Sequence, residues 1–128
     1  MRRMISFDLF AMEDGSPIYM QILRFIKRGI VSGSIVDGDE LPSRRVLSSL
    51  LGINPNTVQK AYRMLEDEGL IESRSGAKSS MVLGHAAIER IRSELMNSDI
   101  LSAINALKRS GMSKEEVLRL IEQNWEGV

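Results

Sequence analysis

The chain has 128 residues, of which 43% are hydrophobic and 27% charged, a composition typical of one folded domain or a small domain with an appended segment. It contains no cysteine and a single histidine, His85, so the sequence predicts no disulfide, no cysteine-based zinc site and no other metal centre. No apolar stretch approaches the roughly 20 residues that a membrane span requires, and no signal-peptide pattern is visible, so we expect a cytoplasmic protein.

The formal net charge is zero, but the charges are distributed unevenly along the chain. Neither the segment from Pro42 to Leu65 nor the segment from Ser73 to Gly84 contains an acidic residue. Their basic residues are Arg44, Arg45, Lys60, Arg63, Arg74 and Lys78. A locally basic surface on a neutral protein is expected of a DNA-binding protein, although unevenly distributed solvated charge is the simpler alternative.

The first predicted helix follows Pro17 and stops at Gly33. Pro17 is expected in its first turn with Ser16 as the cap, and the segment before it is expected to be mobile. The helix has an apolar side and a polar side at helical spacing. These sides consist of Ile18, Ile22, Phe25, Ile26 and Ile30, and of Gln21, Arg24, Lys27 and Arg28, respectively.

A second, shorter helix is predicted between Ser43, its cap, and Gly52, its end. The turn-rich stretch before it leaves room for at most a very short strand. The expected apolar side of this helix consists of Val46, Leu47, Leu50 and Leu51.

The third helix has the strongest start signal in the chain, because Asn54 is a favoured cap and Pro55 suits the first helical position. At about 100° per residue, one side is apolar and the opposite side is polar. The apolar residues are Val58, Ala61 and Leu65, and the polar ones are Asn56, Gln59, Lys60 and Arg63. Such a helix start can place amide and basic side chains against base edges or phosphates in a major groove. An ordinary amphipathic helix with a solvated face is the alternative.

Two β-rich pieces follow, Leu70 to Ser73 and Ser79 to Leu83, and Gly76 is expected in the turn between them. Short helix, turn, longer helix and hairpin is the order of a winged helix-turn-helix. The predicted fold is therefore mainly α with a small β-hairpin wing. We expect a DNA-binding domain at residues 1–84 and a short helical dimerisation segment at residues 85–128.

The C-terminal segment contains two helical patterns, the second with a capping box formed by Ser113 and Glu116. The segment is too small to enclose a ligand pocket of the usual ~300 Å³ or more. Two helices rich in Ile and Leu cannot bury both their faces against each other, so we expect a homodimer, with packing on the chain's own first domain as the alternative. The candidate dimer or core residues are Ile91, Leu95, Ile104, Leu107, Ile121 and Trp125.

The stretch "GDELPSRRVLSSLLGINPNTVQKAYRMLEDEGLIESRSG", together with "PIYMQI" and "MSKEEVLRLI", resembles the GntR family of bacterial transcription regulators. The stretch "NPNTVQKAY" and the short C-terminal segment resemble the YtrA-type subfamily. The resemblance implies a winged helix that binds operator DNA. The DNA contacts it implies fall on Arg45, Asn54, Asn56, Thr57, Gln59 and the wing-tip Gly76.

The sequence departs from the family pattern at two positions. Pro55 stands where relatives place an arginine in the recognition turn, and Lys78 stands where a second wing glycine is usual. These changes put a minor-groove contact by the wing in question, although Lys78 can still reach a phosphate. Arg44 is an additional basic residue beside Arg45. It is better suited to contact a phosphate or solvent than the edge of a nucleobase.

We expect a dimeric, sequence-specific repressor that binds an inverted-repeat operator. The resemblance suggests control of nearby transporter or envelope-stress genes, and it leaves open whether a small-molecule effector binds. The alternative is a winged helix that acts as a protein-interaction adaptor, which predicts apolar exposure on the third helix. An enzyme is not expected, because the sequence shows no catalytic constellation and no phosphate-binding loop.

Overall fold

A computed structural model describes the chain at residues 3–73 and 78–127. Within these ranges a short sheet accompanies five α-helices, and Trp125–Gly127 forms a final 3₁₀ turn. The helices are α1 (Ile18–Ser32), α2 (Arg44–Leu51), α3 (Pro55–Asp67), α4 (His85–Arg109) and α5 (Lys114–Asn124), and the strands are β1 (Glu40–Leu41), β2 (Ile71–Ser73) and β3 (Ser79–Met81). This architecture confirms the predicted winged helix-turn-helix fold. Of the helices that the structure describes, none combines the length and apolarity needed to cross a membrane.

The chain divides into two compact units, the first ending at Arg92 and the second starting at Ser93. The predicted boundary, between residues 84 and 85, coincides with the start of α4. About two turns of α4 therefore belong to the first unit.

The sheet has the strand order β1-β3-β2 with antiparallel neighbours. Ile71 is paired with Met81, and Leu41 with Ser79. The hairpin therefore forms where the two β-rich pieces predict it, and β1 is the very short strand for which the turn-rich stretch leaves room. The expected turn at Gly76 lies outside the described residues.

The core of the first unit contains the apolar face of α3, because Val58, Ala61 and Leu65 are all fully buried. The predicted apolar side of α2 is wrong in part: Val46 and Leu50 are 52% and 62% exposed. The inward positions of α2 are Leu47 and Ser48. Ser48 is accommodated there because its hydroxyl donates to the carbonyl of Ile53 at 2.6 Å, within the turn that leads to α3.

The helix ends follow their sequence signals, with one exception. Gly33 and Gly52 end α1 and α2 in the left-handed conformation, and the Ser43 hydroxyl accepts a hydrogen bond from the backbone N–H of Val46. Ser16 is not the cap of α1, because Pro17 holds that position in an extended conformation without a side-chain cap. The Ser16 carbonyl instead accepts a hydrogen bond from the side-chain amide of Gln21.

The segment before α1 is packed against the rest of the first unit, and the prediction that it is mobile is wrong. Ile5 and Phe7 are buried, and the Phe7 ring stacks on Phe25 of α1 with centroids 5.1 Å apart. The Ile5 N–H donates to the Glu40 carbonyl at 2.8 Å, while the Glu40 N–H donates to the carbonyl of Arg3 at 2.7 Å. These contacts join residues distant in sequence, so no local periodicity signals them.

In the second unit, Ser113 and Glu116 form the predicted capping box at the start of α5. The Ser113 hydroxyl accepts from the Glu116 N–H, and the Glu116 carboxylate accepts from the Ser113 N–H. The start of α5 is thereby fixed by local contacts alone.

Candidate nucleic-acid interface

The start of α3 is held as its sequence predicts. The Asn54 Oδ1 accepts a hydrogen bond from the Asn56 N–H at 2.8 Å, and the Asn54 carbonyl accepts from the Thr57 N–H at 3.0 Å. Pro55 occupies the first helical position, where its missing N–H costs no hydrogen bond. Because Asn54 Oδ1 is occupied by the cap, the side-chain NH₂ group of Asn54 is the part of the amide that is left to contact DNA, as a donor.

The polar side of α3 points away from the core. Asn56, Lys60 and Arg63 are exposed, while Thr57 and Gln59 are half-buried. This surface offers amide groups that can pair with adenine and cations that can reach guanine or phosphate. The structure therefore brings together the α3 residues that the sequence assigns to DNA.

Lys60 is packed against α1. Its ammonium nitrogen lies 4.0 Å from the centre of the half-buried Tyr19 ring, a cation–π contact. Sequence reasoning missed Tyr19 as part of the interface. The available signal was a tyrosine in the same helical stripe as the buried Ile22 and Ile26, since a tyrosine there can bury its ring and direct its hydroxyl outward.

The two arginines at the start of α2 differ in environment. Arg45 is exposed, whereas Arg44 is half-buried with its guanidinium carbon 5.2 Å from the centre of the Tyr62 ring. The Arg44 Nε is buried without a hydrogen-bond partner among the described residues. Arg44 therefore combines a packing role with the basic charge that the sequence assigns to this position.

Tyr62 connects α3 to the segment that precedes α2. Its hydroxyl donates to the Pro42 carbonyl at 2.7 Å in the interior. Burial raises the pKa of Tyr62 well above its ordinary value, and the positive charge of Arg44 opposes the shift only in part. Tyr62 is consequently a neutral hydrogen-bond donor at ordinary pH, and it fixes the distance between α3 and the start of α2.

Acidic residues at the C-terminal end of α3 are bonded to residues of other elements. The Glu68 carboxylate pairs with Lys27 of α1 at 3.0 Å, and the Glu66 carboxylate accepts a hydrogen bond from the Ser73 hydroxyl at 2.9 Å. The N-terminal part of the polar side thus contains cations and amides without a neighbouring acid in sequence. Such a charge distribution favours a polyanion at that end of the helix.

The wing is represented by Lys78, which is exposed immediately before β3. Arg74 and Gly76, the other two wing residues assigned to DNA, lie outside the described residues. The described part of the wing therefore contributes one cation to the candidate interface.

The apolar residues assigned to dimerisation fall into two groups. Ile91 is fully buried and Leu95 is 9% exposed, so both are core residues of the single chain. Leu107 is half-buried, while Ile104, Ile121 and Trp125 are exposed, Trp125 to 70%. Leu107, Ile121 and Trp125 also line an apolar cavity of about 380 Å³ in the second unit, so the expectation that this segment is too small for a cavity of such a size is wrong.

Comparison with known proteins gives consistent matches. The model of a family described as bacterial regulatory proteins, gntR family, matches residues 18–79. The chain is 30% identical over 115 residues to YhcF, an uncharacterized HTH-type transcriptional regulator of Bacillus subtilis, and the match covers 90% of this chain and 95% of YhcF. The family match runs from α1 into β3, the region that contains the candidate interface.

Two further likenesses concern a repressor and a solved structure. The chain is 43% identical over 77 residues to the HTH-type transcriptional repressor YtrA of Bacillus subtilis, covering 54% of this chain and 59% of YtrA. The structure of a GntR family transcriptional regulator from Listeria monocytogenes matches with a TM-score of 0.74 at 29% identity, covering 88% of this chain and 98% of that chain. A match over 88% of the chain includes residues of both units, since the first unit ends at Arg92.

Proposed function

We propose that this chain, which belongs to the GntR family of bacterial regulatory proteins and to its YtrA type, is a homodimeric repressor that binds an inverted-repeat operator. Members of this family are DNA-binding transcriptional regulators. The proposal adds the dimer, the operator symmetry, the direction of regulation and the residues that make the contacts.

The observation that carries the proposal is the start of α3. Its first turn is fixed by the Asn54 cap, and it presents Asn56, Lys60 and Arg63 to solvent. A fixed helix start matters for base reading, because a hydrogen bond to a base edge requires accurate placement of the side chain. The adaptor alternative expects apolar side chains on this surface, and the exposed residues there are polar.

We assign the phosphate and base contacts by position and exposure. Asn56, Thr57 and Gln59 are the base-reading candidates near the start of α3, with the Asn54 amide beside them. The exposed cations Arg45, Arg63 and Lys78, together with Lys60, supply contacts to phosphate or guanine. Arg74 and Gly76 complete the wing in this proposal, and Arg44, at the start of α2, packs against the Tyr62 ring.

The second unit supplies the dimer interface. Ile104, Ile121 and Trp125 are exposed apolar side chains on α4, α5 and the final turn, and contact with a second copy removes them from water. Ile91 and Leu95 act in the core of each copy. A twofold dimer presents two α3 helices, which requires two operator half-sites related by the same symmetry.

Repression is inferred from the likeness to the Bacillus subtilis protein described as a transcriptional repressor. The YtrA-type resemblance suggests nearby transporter or envelope-stress genes as the targets, and we place the protein in the cytoplasm, where transcription regulators of bacteria act. A reporter fused to the promoter upstream of the protein's own gene tests this direction. Deleting the gene is expected to raise reporter expression, and a fall in expression would instead indicate an activator.

Sedimentation equilibrium tests the dimer. The wild type is expected to sediment as a dimer, and Ile121→Lys as a monomer, because a buried unpaired ammonium group is costly. Lys114→Glu, a charge change at an exposed position elsewhere on α5, is the matched control. A monomeric wild type would rule out the proposed interface.

A further inference from the structure

We propose that the cavity between the N-terminal segment and α1 is a binding site for a small organic anion with an apolar body. The cavity has a volume of about 620 Å³ and lies entirely within residues 3–39. This size falls in the range of ~300–1,000 Å³ that is usual for small-molecule sites. The cavity is separate from the α3 surface assigned to DNA and from the apolar surface assigned to dimerisation.

The frame of the cavity is fixed at both ends. At one end, the Gln21 side chain accepts from the Glu13 N–H and donates to the carbonyls of Glu13 and Ser16, at 2.8 to 2.9 Å. At the other end, the Arg3 guanidinium donates to the Asp39 carboxylate at 3.2 Å and to the Ser34 carbonyl at 3.0 Å. Hydrogen bonds therefore hold the N-terminal segment in place at both ends, and the cavity between this segment and α1 is a fixed feature of the structure.

The apolar part of the lining is aromatic. Phe10 packs edge-on against Phe25 with ring centroids 5.4 Å apart, and both rings line the cavity. Leu9 and Met4, which also line it, are 91% and 54% exposed. A concave aromatic surface bordered by exposed aliphatic side chains can remove an apolar ligand from water, and burial of these side chains favours binding.

The charged part of the lining contains three arginines, Arg3, Arg24 and Arg28, and two acids, Glu13 and Asp39. One stripe of α1 faces the cavity and contains Arg24 and Arg28 at helical spacing. Arg24 is half-buried and forms no ion pair within residues 3–73 and 78–127. The Asp39 carboxylate, in contrast, is engaged by Arg3 and by the N–H of Val36 at 2.9 Å. The cavity therefore offers a guanidinium group whose planar donors match a carboxylate, sulfonate or phosphate group.

Helix α1 connects the proposed site to the α3 surface assigned to DNA, because its residues lie beside both. Gln21, Arg24 and Phe25 lie on the stripe that lines the cavity, whereas Tyr19 lies on the stripe that packs toward α3 and contacts Lys60. One helix thus borders both the cavity and the candidate interface.

Fluorescence titration with two probes tests the proposal on the full chain. Anilinonaphthalene sulfonate is an aromatic anion, and phenylnaphthylamine is its uncharged counterpart without the sulfonate. We expect Arg24→Gln to weaken binding of the sulfonate by about tenfold, the usual scale for a lost charge-assisted hydrogen bond. Binding of the uncharged probe is expected to be unchanged, and Arg119→Gln, an exposed arginine on α5, is the matched control for both probes.

A second variant tests the apolar part of the site without risk to the fold. Leu9→Ser changes a side chain that is almost fully exposed, and it is expected to weaken binding of both probes severalfold. Amide NMR shifts caused by the sulfonate are expected within residues 3–39. Shifts confined to residues 107–125, or an unchanged sulfonate affinity in Arg24→Gln, would overturn the proposal.

Discussion

The ammonium nitrogen of Lys60 lies 4.0 Å from the centre of the Tyr19 ring, so α3 and α1 share a cation–π contact at the edge of the candidate interface. The contact restricts a long, flexible side chain before DNA arrives. Because an ordered side chain loses less conformational entropy on binding, Tyr19 is a positioning residue for Lys60 in our account.

Replacing Tyr19 by Leu is therefore expected to lower operator affinity by about two- to fivefold, the equivalent of about 0.5–1 kcal/mol for an exposed cation–π contact. Tyr19→Phe keeps the ring and is expected to retain affinity. Fluorescence anisotropy with labelled operator DNA measures both variants. In a Lys60→Ala background, Tyr19→Leu should have no further effect, and an additive loss would show that Tyr19 acts independently of Lys60.

Arg45 is exposed at the start of α2, and we expect Arg45→Ala to weaken operator binding by about 1–3 kcal/mol without unfolding the protein. If Arg45 contacts a phosphate, the slope of the logarithm of the binding constant against the logarithm of the salt concentration also becomes shallower by about one. Titrations at several salt concentrations measure both quantities. Arg92→Ala, which removes an exposed arginine from α4, is the control, and equal losses in the two variants would argue against a specific contact.

The Asn54 cap is expected to contribute to the stability of the fold. Asn54→Ala removes the oxygen that accepts from the Asn56 N–H and should cost about 0.5–2 kcal/mol of unfolding free energy. Asn54→Ser replaces that oxygen and is expected to recover most of the stability. Urea denaturation followed by circular dichroism measures the difference. Equal stability of the Ala variant and the wild type would mean that water replaces the cap at no cost.

The buried Tyr62 is expected to make the fold less stable at high pH. Its pKa is raised by burial, so at high pH the unfolded tyrosine releases its proton before the folded one, and stability falls as pH rises above about 10. At neutral pH, Tyr62→Phe loses the hydrogen bond to the Pro42 carbonyl and is expected to cost about 0.5–1.5 kcal/mol.

The stability difference between the wild type and Tyr62→Phe should therefore shrink as the pH is raised from neutral to strongly alkaline, because only the wild type has the buried phenol. Urea unfolding at the two pH values measures the change. Tyr19→Phe removes the other, half-buried tyrosine hydroxyl and serves as the control. A difference that grows with pH would contradict the assigned direction of the Tyr62 pKa shift.

Local sequence signals predicted much of this fold. The caps at Ser43, Asn54 and Ser113 act within three residues of the groups they bond, so their residue types suffice to place the helix starts. The buried face of α3 follows from helical periodicity in the same way. Ser16 is not a cap because α1 begins one residue later than the sequence signal places it, with Pro17 in the cap position.

Long-range packing was not predictable from those signals. Periodicity alone did not show that Ser48 would be buried in α2 while Leu50 is exposed, because the positions of the neighbouring elements decide which side of the helix faces the core. The sequence was sufficient to place the polar residues of α3 on the side of the helix that faces away from the core. The Tyr19 partner of Lys60 was not identifiable, because their contact depends on how α1 packs against α3.

The central claim is that a dimer of this chain reads a symmetric operator through the polar side of α3. DNase footprinting of the DNA upstream of its own gene, at low salt, tests this claim most directly. We expect two protected half-sites related by inverted repetition, about one helical turn or more apart, with protection lost in an Asn56→Ala and Gln59→Ala double variant that remains folded. If the folded dimer leaves this DNA unprotected, or if the double variant protects it as the wild type does, operator recognition through α3 is refuted.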